Sequence, residues 1–284
     1  MYKEIVLMAS TNRQEVLSVL HHITGSSASS LRRSFALNTT IADNFSWGSV
    51  TREGLKIYSI SNDTLGFYSR SITDLQLLAK VFQLADDIPP SIPPKPISKC
   101  RFAYIKTEQW DRASVDAPRV AGSGASSELT RAWEMSKTLL RTIGAEVVDV
   151  DLPFEFDHIA GRRHRYIMNG EARVNFLPEY VIGRDQLDPF LVQQVENTSR
   201  ISRRMQLDAY DQLATLRPVI DRLASQYDAI ITPSVPGEAP MGLGYTGDPR
   251  FCAMWTILHV PCVNIPGFAS ESGMPIGLTL VAPR

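Results

Sequence analysis

Residues 25–34 read GSSASSLRRS, and four of the five positions 26–30 are serines. A serine hydroxyl can act as a nucleophile where a base removes its proton and backbone N–H groups stabilise the oxyanion that forms. The same composition is typical of a flexible linker, because runs of small polar residues form no stable helix or strand. Residue types alone therefore leave a nucleophile loop and a linker as alternatives for this segment.

The histidines and cysteines show no metal-binding pattern. The three cysteines, Cys100, Cys252 and Cys262, are scattered, and no C-x-x-C or H-E-x-x-H motif occurs. His21 and His22 are adjacent, so their side chains point in different directions on a helix or a strand. Structural and catalytic zinc sites need closely spaced ligands. The sequence therefore predicts no metal site and no disulfide framework.

Composition places the chain among ordinary globular proteins. Its 284 residues are 44% hydrophobic and 21% charged, with a formal net charge of -1. This charge gives no electrostatic reason to expect nucleic acid or an anionic membrane as a partner. No apolar run approaches the roughly 18 residues of a spanning helix, and the apolar stretch at the N-terminus is short for a signal peptide. We therefore expect a cytoplasmic protein.

A proline-rich stretch divides the chain. Ile88–Pro96 (IPPSIPPKP) contains five prolines in nine residues, and proline removes backbone donors and fixes φ. We predict a linker over residues 88–98, between an N-terminal part (1–87) and a longer C-terminal part (99–284).

The elements around this linker predict an α/β fold with a mixed β-sheet flanked by helices. Ser71 is a candidate N-cap, and apolar residues follow it at helical spacing. Two further strand and helix patterns lie beyond the linker, and a strand–helix–strand order is typical of a sheet with helices on its faces. The predicted segments are strands at 101–105, 145–150 and 227–232, and helices at 129–143 and 205–225.

Two segments have a functional and a structural interpretation. Residues 233–247 are crowded with proline and glycine after a predicted central strand, where α/β proteins often bind ligands, although a surface loop has the same composition. Residues 162–165 (RRHR) form a basic cluster that could pair with a substrate carboxylate, although such runs are often solvated helix faces.

Two sequence blocks resemble the amidase signature family. The first is ITPSVPGEAP, TGDPRFCAMWTILHVPCVNIPGF and GMPIGLTLVAPR, in the last fifty residues or so. The second is VTREGLKIYSISNDTLGFYSRSITDLQLLAKV, at residues 50–81. The wording LHVPCVNIPGF is most similar to fungal-type amidases. The resemblance covers roughly residues 27–284 and implies a hydrolase that cleaves a carboxamide C–N bond without metal or cofactor.

The resemblance also favours the nucleophile loop over the linker. Counting back from Arg52-Glu53-Gly54 places residues 27–34 on the family's T-G-G-S-[IV]-R-x-P loop. This register implies that Ser30 is the nucleophile and that the backbone N–H groups of Ala28 and Ser29 hold the oxyanion. Arg33 would support the loop.

Further positions that match the family motifs are candidates for the substrate cleft. They are Asp63, Thr64, Pro233 and Trp255. The implied partner is a small-molecule amide.

The chain departs from the family pattern in its N-terminal part. The family's catalytic lysine and second serine lie well ahead of the nucleophile loop, and only 29 residues precede Ser30 here. We therefore expect a member shortened at both ends, with a catalytically inactive remnant or binding scaffold as the alternative to an active hydrolase. A shortened domain should expose apolar surface, so homo-oligomerisation is expected.

Overall fold

The computed structural model describes residues 41–44, 47–84, 95–110, 124–242 and 247–284. Within these ranges seven strands form one mixed β-sheet, in the order β2-β1-β6-β7-β5-β3-β4. In chain order the strands are β1 (Ile41–Asn44), β2 (Gly66–Ser69), β3 (Arg101–Tyr104), β4 (Glu146–Asp149), β5 (Ala229–Pro233), β6 (Cys262–Ala269) and β7 (Pro275–Val281).

Helices connect and cover these strands. The α-helices in the described ranges are α1 (Ile72–Val81), α2 (Ser127–Thr142), α3 (His164–Asn175), α4 (Leu177–Gly183), α5 (Pro189–Val195), α6 (Arg203–Ala224) and α7 (Arg250–Ile257). Short 3-10 turns lie at Ile97–Lys99, Glu108–Trp110, Phe154–Phe156 and Arg184–Gln186, and a π-helical turn lies at Ile159–Arg163.

The predicted α/β fold is confirmed by the parallel part of the sheet. β3 pairs in parallel with β4, and α2 connects them. β3 also pairs in parallel with β5, which follows α6. The Ser71 hydroxyl accepts a hydrogen bond from the Asp74 backbone N–H at 3.2 Å, so Ser71 caps α1 as its sequence position predicted.

β5 is an interior strand, as predicted. All five of its residues are buried, with β3 on one side and β7 on the other. The strand ends at Pro233, and the loop that was expected to follow it begins at Ser234. Proline closes the strand because its nitrogen cannot donate to the ladder.

The mixed character of the sheet was predicted, but β1, β2, β6 and β7, which form its antiparallel half, were not. β6 pairs with β7, and β1 pairs with both β6 and β2. The register between β6 and β7 shifts between Ile265 and Phe268, around Pro266 and Gly267. Proline and glycine ordinarily argue against a strand interior, which is why this pattern gave no strand signal.

The core lies on both faces of the sheet. Alternate residues of one strand point to opposite faces, so Ala103 and Ile230 pack with α6 and α7. Their neighbours Tyr104 and Ile231 pack with α2 on the other face. Burial on both sides explains why Phe102–Tyr104 of β3 and Ala229–Ile231 of β5 are apolar runs rather than alternating polar and apolar residues.

The predicted domain boundaries remain a prediction, since residues 88–94 lie outside the described part of the chain. Strands from both sides of the predicted linker share the one sheet, because β1 from the N-terminal part pairs with β6. Ile97, at the end of the proline-rich stretch, is buried. None of the helices in the described ranges has both the length and the apolar character that crossing a bilayer requires.

Candidate active site

A cleft of about 470 Å³ opens beyond the end of β5. This volume lies within the range of roughly 300–1,000 Å³ that is usual for small-molecule sites. The segment before α1, the loop after β5, helix α7 and strands β6 and β7 all contribute to it. The lining residues are Trp47, Thr64, Tyr68, Ser234, Val235, Cys252, Trp255, Thr256, His259, Val260, Cys262, Asn264, Pro266, Pro275, Gly277 and Thr279.

Three polar side chains form a hydrogen-bonded chain on one side of the cleft. Asn264 and Thr279 face each other across β6 and β7, and Ser234 follows β5. Ser234 Oγ donates to Asn264 Oδ1 at 2.5 Å, and it lies 2.8 Å from Thr279 Oγ1. The Ser234 hydroxyl has one proton and donates it to Asn264 Oδ1. In its contact with Thr279, Ser234 Oγ is therefore the acceptor and the Thr279 hydroxyl is the donor.

A glycine makes room for this chain. Gly277 is buried in β7, and a Cβ on it would lie 2.4 Å from Asn264 Oδ1. Its backbone angles are accessible to other residues, so the need for glycine here comes from space and not from φ. The side chain of Asn264 occupies the volume that any other residue at position 277 would fill.

His259 forms another part of the wall. It follows α7 with a φ of 65°, a left-handed conformation in which histidine is enriched among non-glycine residues. Its ring stacks on Trp47 with centroids 4.8 Å apart and an interplanar angle of 12°. Its Nε2 lies 2.6 Å from the carbonyl oxygen of Ser61. Stacking and hydrogen bonding therefore fix the ring from two sides.

The hydrogen bond to Ser61 assigns the protonation of this ring. Nε2 also lies 3.3 Å from Arg217 Nη2, which is longer than its 2.6 Å contact with the Ser61 oxygen. A carbonyl oxygen only accepts, so the shorter contact assigns the proton to Nε2, and Nδ1 carries a lone pair in the neutral imidazole. Burial lowers the pKa of His259 to about 4, and the nearby Arg217 guanidinium acts in the same direction. Near neutral pH the cleft therefore holds an uncharged imidazole.

The loop before β2 positions both Ser61 and Thr64. Asp63 Oδ2 accepts from the backbone N–H groups of Tyr58 and Ser59, at 2.7 and 3.0 Å. Arg52 Nη1 donates to the carbonyl oxygens of Ile60 and Asp63, at 2.7 and 2.9 Å. The Asp63 carboxylate therefore shapes the loop from within.

Glu171 on α3 ties this loop to the helices. Its Oε2 accepts from the Ser59 hydroxyl at 2.5 Å and from the Ser61 backbone N–H at 3.0 Å. Its Oε1 accepts from the hydroxyl of Tyr210 on α6. Ser61, whose carbonyl oxygen orients His259, is thus held in place by Glu171 on α3, which is itself bonded to α6.

A family model described as Amidase matches residues 46–284, which is well over half of the chain. The chain belongs to the amidase family. This confirms the family that the sequence motifs indicated.

Similar proteins agree with membership in the amidase family. A glutamyl-tRNA(Gln) amidotransferase subunit from Neorickettsia sennetsu is 24% identical, over 83% of this chain and 54% of the relative. The corresponding protein from Azorhizobium caulinodans is 26% identical, over 89% of this chain and 57% of the relative. The chain spans about half the length of the curated relatives it matches.

Solved structures share the fold. A crystal structure of an amidase matches with a TM-score of 0.68 at 20% identity, covering 87% of this chain and 55% of that one. A 6-aminohexanoate cyclic dimer hydrolase matches with a TM-score of 0.61 at 17% identity, covering 86% and 56%. At these identities the likeness concerns the fold alone.

The structure brings some of the predicted cleft residues together. Thr64 and Trp255 line the same cleft. Asp63 lies next to Thr64, and its carboxylate accepts hydrogen bonds from backbone N–H groups of the loop before β2. Pro233 is buried immediately before Ser234. A contact of any of them with substrate remains a prediction.

The predicted nucleophile loop lies outside the described residues. Ser30, Ala28, Ser29 and Arg33 all fall in residues 1–40, so their assigned roles remain predictions. Among the described residues, no group of three or more His, Cys, Asp or Glu side chains could hold a metal ion.

Sequence reasoning did not single out His259, Ser234, Asn264 or Thr279. The signal available was a polar residue inside an apolar strand pattern, as Asn264 is in CVNIPGF. His259 gave no periodic signal, because its importance comes from the stacking on Trp47 and the bond to Ser61, both distant in sequence.

Proposed function

We propose that the protein is a cytoplasmic amide C–N hydrolase of the amidase family in which Ser30 is the nucleophile. The Ser30 hydroxyl would attack the carboxamide carbon, its proton would leave with the nitrogen as ammonia or an amine, and an acyl-serine ester would remain. Water would then cleave that ester to a carboxylate and regenerate the serine. The backbone N–H groups of Ala28 and Ser29 would hold the oxyanion in both steps.

One observation carries this proposal. The cleft beyond β5 lies within the amidase family match, is walled by aromatic and aliphatic side chains, and contains a small number of oriented polar groups. Such a combination is typical of a site for a small uncharged molecule. The names of similar proteins, which include amidases, a hydrolase and amidotransferase subunits, are consistent with amide chemistry.

A second candidate, a catalytically inactive binding scaffold, is favoured by one feature of the cleft. Its lining, over the described residues, contains no Lys, Arg, Asp or Glu side chain. Removing a triad's base typically costs several powers of ten in rate. In this alternative the cleft binds an amide without cleaving it.

Labelling by a fluorophosphonate probe tests the nucleophile. We expect slow labelling of wild type on the peptide that contains Ser30, and its loss in Ser30→Ala, because the cleft lining over the described residues holds no Lys, Arg, Asp or Glu that could act as a general base. Ser27→Ala, in the same loop, is the matched control and should label like wild type. Ammonia release from a primary carboxamide should likewise be measurable for wild type and Ser27→Ala and be lost in Ser30→Ala.

Absence of labelling in a folded wild-type chain would refute the hydrolase and support the binding scaffold. Folding is checked by cooperative thermal unfolding of each variant.

We also propose that the chain forms homo-oligomers through exposed apolar side chains on α3, α4 and α5. Val181 is 74% and Ile182 88% exposed, and both lie on α4. Patches of this kind on a folded domain favour association. Other exposed apolar residues of the same helices are Val174, Leu177 and Phe190.

Light scattering at high micromolar concentration tests this association. We expect the double variant Val181→Lys/Ile182→Lys to shift the wild-type oligomer towards monomer. Met241→Lys changes an exposed apolar residue in the loop after β5 and should leave the mass unchanged. A monomeric wild type would contradict the proposal.

A further inference from the structure

We propose that His259 and Asn264 make the cleft selective for an uncharged group that carries an N–H donor beside an oxygen acceptor, as a primary carboxamide does, and against the corresponding carboxylate. The inference rests on the proposed function and deepens it, because it names two specificity-determining residues and the ligand chemistry they select. A hydrolase with this selectivity would favour its substrate over its acid product.

Asn264 supplies the donor. Its Oδ1 accepts from Ser234 Oγ, which is itself next to Thr279 Oγ1. The hydrogen-bonded chain therefore runs from Thr279 through Ser234 to Asn264 Oδ1. It determines the orientation of the Asn264 side-chain amide, whose oxygen is already hydrogen-bonded to Ser234. The Nδ2 group makes no hydrogen bond to other described residues, so its two N–H groups are available to an acceptor in the cleft. A ligand carbonyl oxygen fits this requirement.

His259 supplies the acceptor. Its Nε2–H is used by the Ser61 carbonyl, and the stack on Trp47 keeps the ring in place. Nδ1 has no hydrogen-bond partner among the described residues, and His259 lines the cleft. Because the ring cannot turn without breaking the bond to Ser61, Nδ1 remains an acceptor. A ligand N–H group fits it, whereas a carboxylate oxygen would meet its lone pair.

The charged groups near His259 do not supply a carboxylate site. Arg217 Nη2 donates to the Ile257 carbonyl at 3.2 Å and lies 3.3 Å from His259 Nε2, and Arg52 donates to the loop carbonyls. Arg284 pairs with Asp221 at 2.6 Å. None of these guanidinium groups is among the lining residues of the cleft. An anion that entered would lose hydration without a paired charge, which is unfavourable.

Two substitutions distinguish the role of His259 Nε2 as a donor from the role of Nδ1 as an acceptor. Glutamine at this position would place its amide near the Nε2 position, where it can still donate to Ser61, but it would leave the Nδ1 position without an acceptor. Asparagine would place an amide oxygen near the Nδ1 position and tolerates a positive φ. His259→Gln therefore removes the proposed acceptor, and His259→Asn retains it.

Titration calorimetry on the full chain provides the measurement. Benzamide is the probe, benzoate the carboxylate of the same shape, and methyl benzoate the uncharged analogue without an N–H. We expect wild type to bind benzamide at least about tenfold more tightly than either analogue, since a site built around an N–H rejects ligands that lack it. His259→Gln should lose about tenfold for benzamide, and His259→Asn should stay within about threefold of wild type.

Asn264→Asp gives an independent readout. It keeps the acceptor for Ser234 but replaces the two N–H donors by an oxygen, so benzamide affinity should fall and affinity for the cation benzamidine should rise. Equal binding of benzamide and both analogues by wild type would overturn the proposal. So would equal benzamide binding by His259→Gln and wild type, no benzamide binding at all, or an unchanged preference in Asn264→Asp.

Cys252 reports whether the probe occupies this cleft. Cys252 and Cys262 both line the cleft, but Cys252 is exposed, whereas Cys100 and Cys262 are buried. Saturating benzamide should slow the reaction of Cys252 with a disulfide reagent at least about threefold, and Cys252→Ser should remove this reaction. Binding without protection of Cys252 would place the probe elsewhere and refute the proposal.

The outcome is separable from that of the hydrolase proposal. Selective benzamide binding without labelling of Ser30 would support the specificity assignment and refute hydrolysis. Labelling and ammonia release in a chain that binds benzamide and benzoate equally would refute the specificity assignment alone.

Discussion

Gly277→Ala is expected to lower the free energy of unfolding by about 1–3 kcal/mol, the usual cost of overpacking a well-packed core. It should also abolish selective binding in the cleft. The new Cβ would lie 2.4 Å from Asn264 Oδ1 and 3.2 Å from Asn264 Nδ2. Asn264 would have to move, and its bond from Ser234 would break. Urea denaturation and benzamide titration measure the two effects.

Gly183→Ala is the matched control. The nearest atom to a Cβ at position 183 is 3.8 Å away, on Gln186, and φ there is -153°. Stability should therefore be unchanged or slightly raised, because alanine restricts the unfolded chain more than glycine does. If the two alanine variants were equally stable relative to wild type, the packing of Gly277 against Asn264 would not be a constraint.

Stability should fall as the pH is lowered from about 6.5 to about 4. Burial lowers the pKa of both His164 and His259 to about 4, and Arg217 contributes at His259. In this window the unfolded chain binds protons at these residues that the native chain does not bind. Each histidine adds up to about 1.4 kcal/mol per pH unit to the slope of the unfolding free energy against pH, and this contribution disappears well above the unfolded pKa.

The pH dependence of urea denaturation for His164→Asn, His259→Asn and the double variant tests this origin. Each substitution should flatten the slope of unfolding free energy against pH between 6.5 and 4, and the double variant should show the sum. The curves should become parallel to wild type above about pH 7.5, where both histidines are almost fully deprotonated in the unfolded and the native state. A double variant with the full wild-type slope would assign the acid sensitivity to other groups.

The sequence predicted the parallel half of the fold because its signals are local. The apolar run of β5 and the cap of α1 by Ser71 are both readable within a few residues. The antiparallel half depends on pairing between distant segments, and the bulge around Pro266 disguises β6 as a loop. Pairing information of this kind is not contained in periodicity or propensity.

The same distinction holds for the site. Thr64 and Trp255 could be proposed because motifs surround them, and both line the cleft. The roles of Asn264 and Gly277 depend on the close approach of the Asn264 side chain to position 277, where a Cβ would lie 2.4 Å from Asn264 Oδ1. That of His259 depends on a carbonyl and an aromatic ring from the N-terminal part of the chain. These are properties of tertiary contacts, so residue types alone could not have revealed them.

The strand order has a consequence for how the protein is made. Ala42 pairs with Asn264 although the two residues are far apart in sequence, and Trp47 stacks on His259 across a similar separation. Long-range strand pairing forms slowly, and β6 leaves the ribosome long after β1. The segment that carries β1 and Trp47 must therefore wait, without β6, until that strand has been synthesised. A chain interrupted before β6 would lack the cleft altogether, so ligand binding reports completion of the fold.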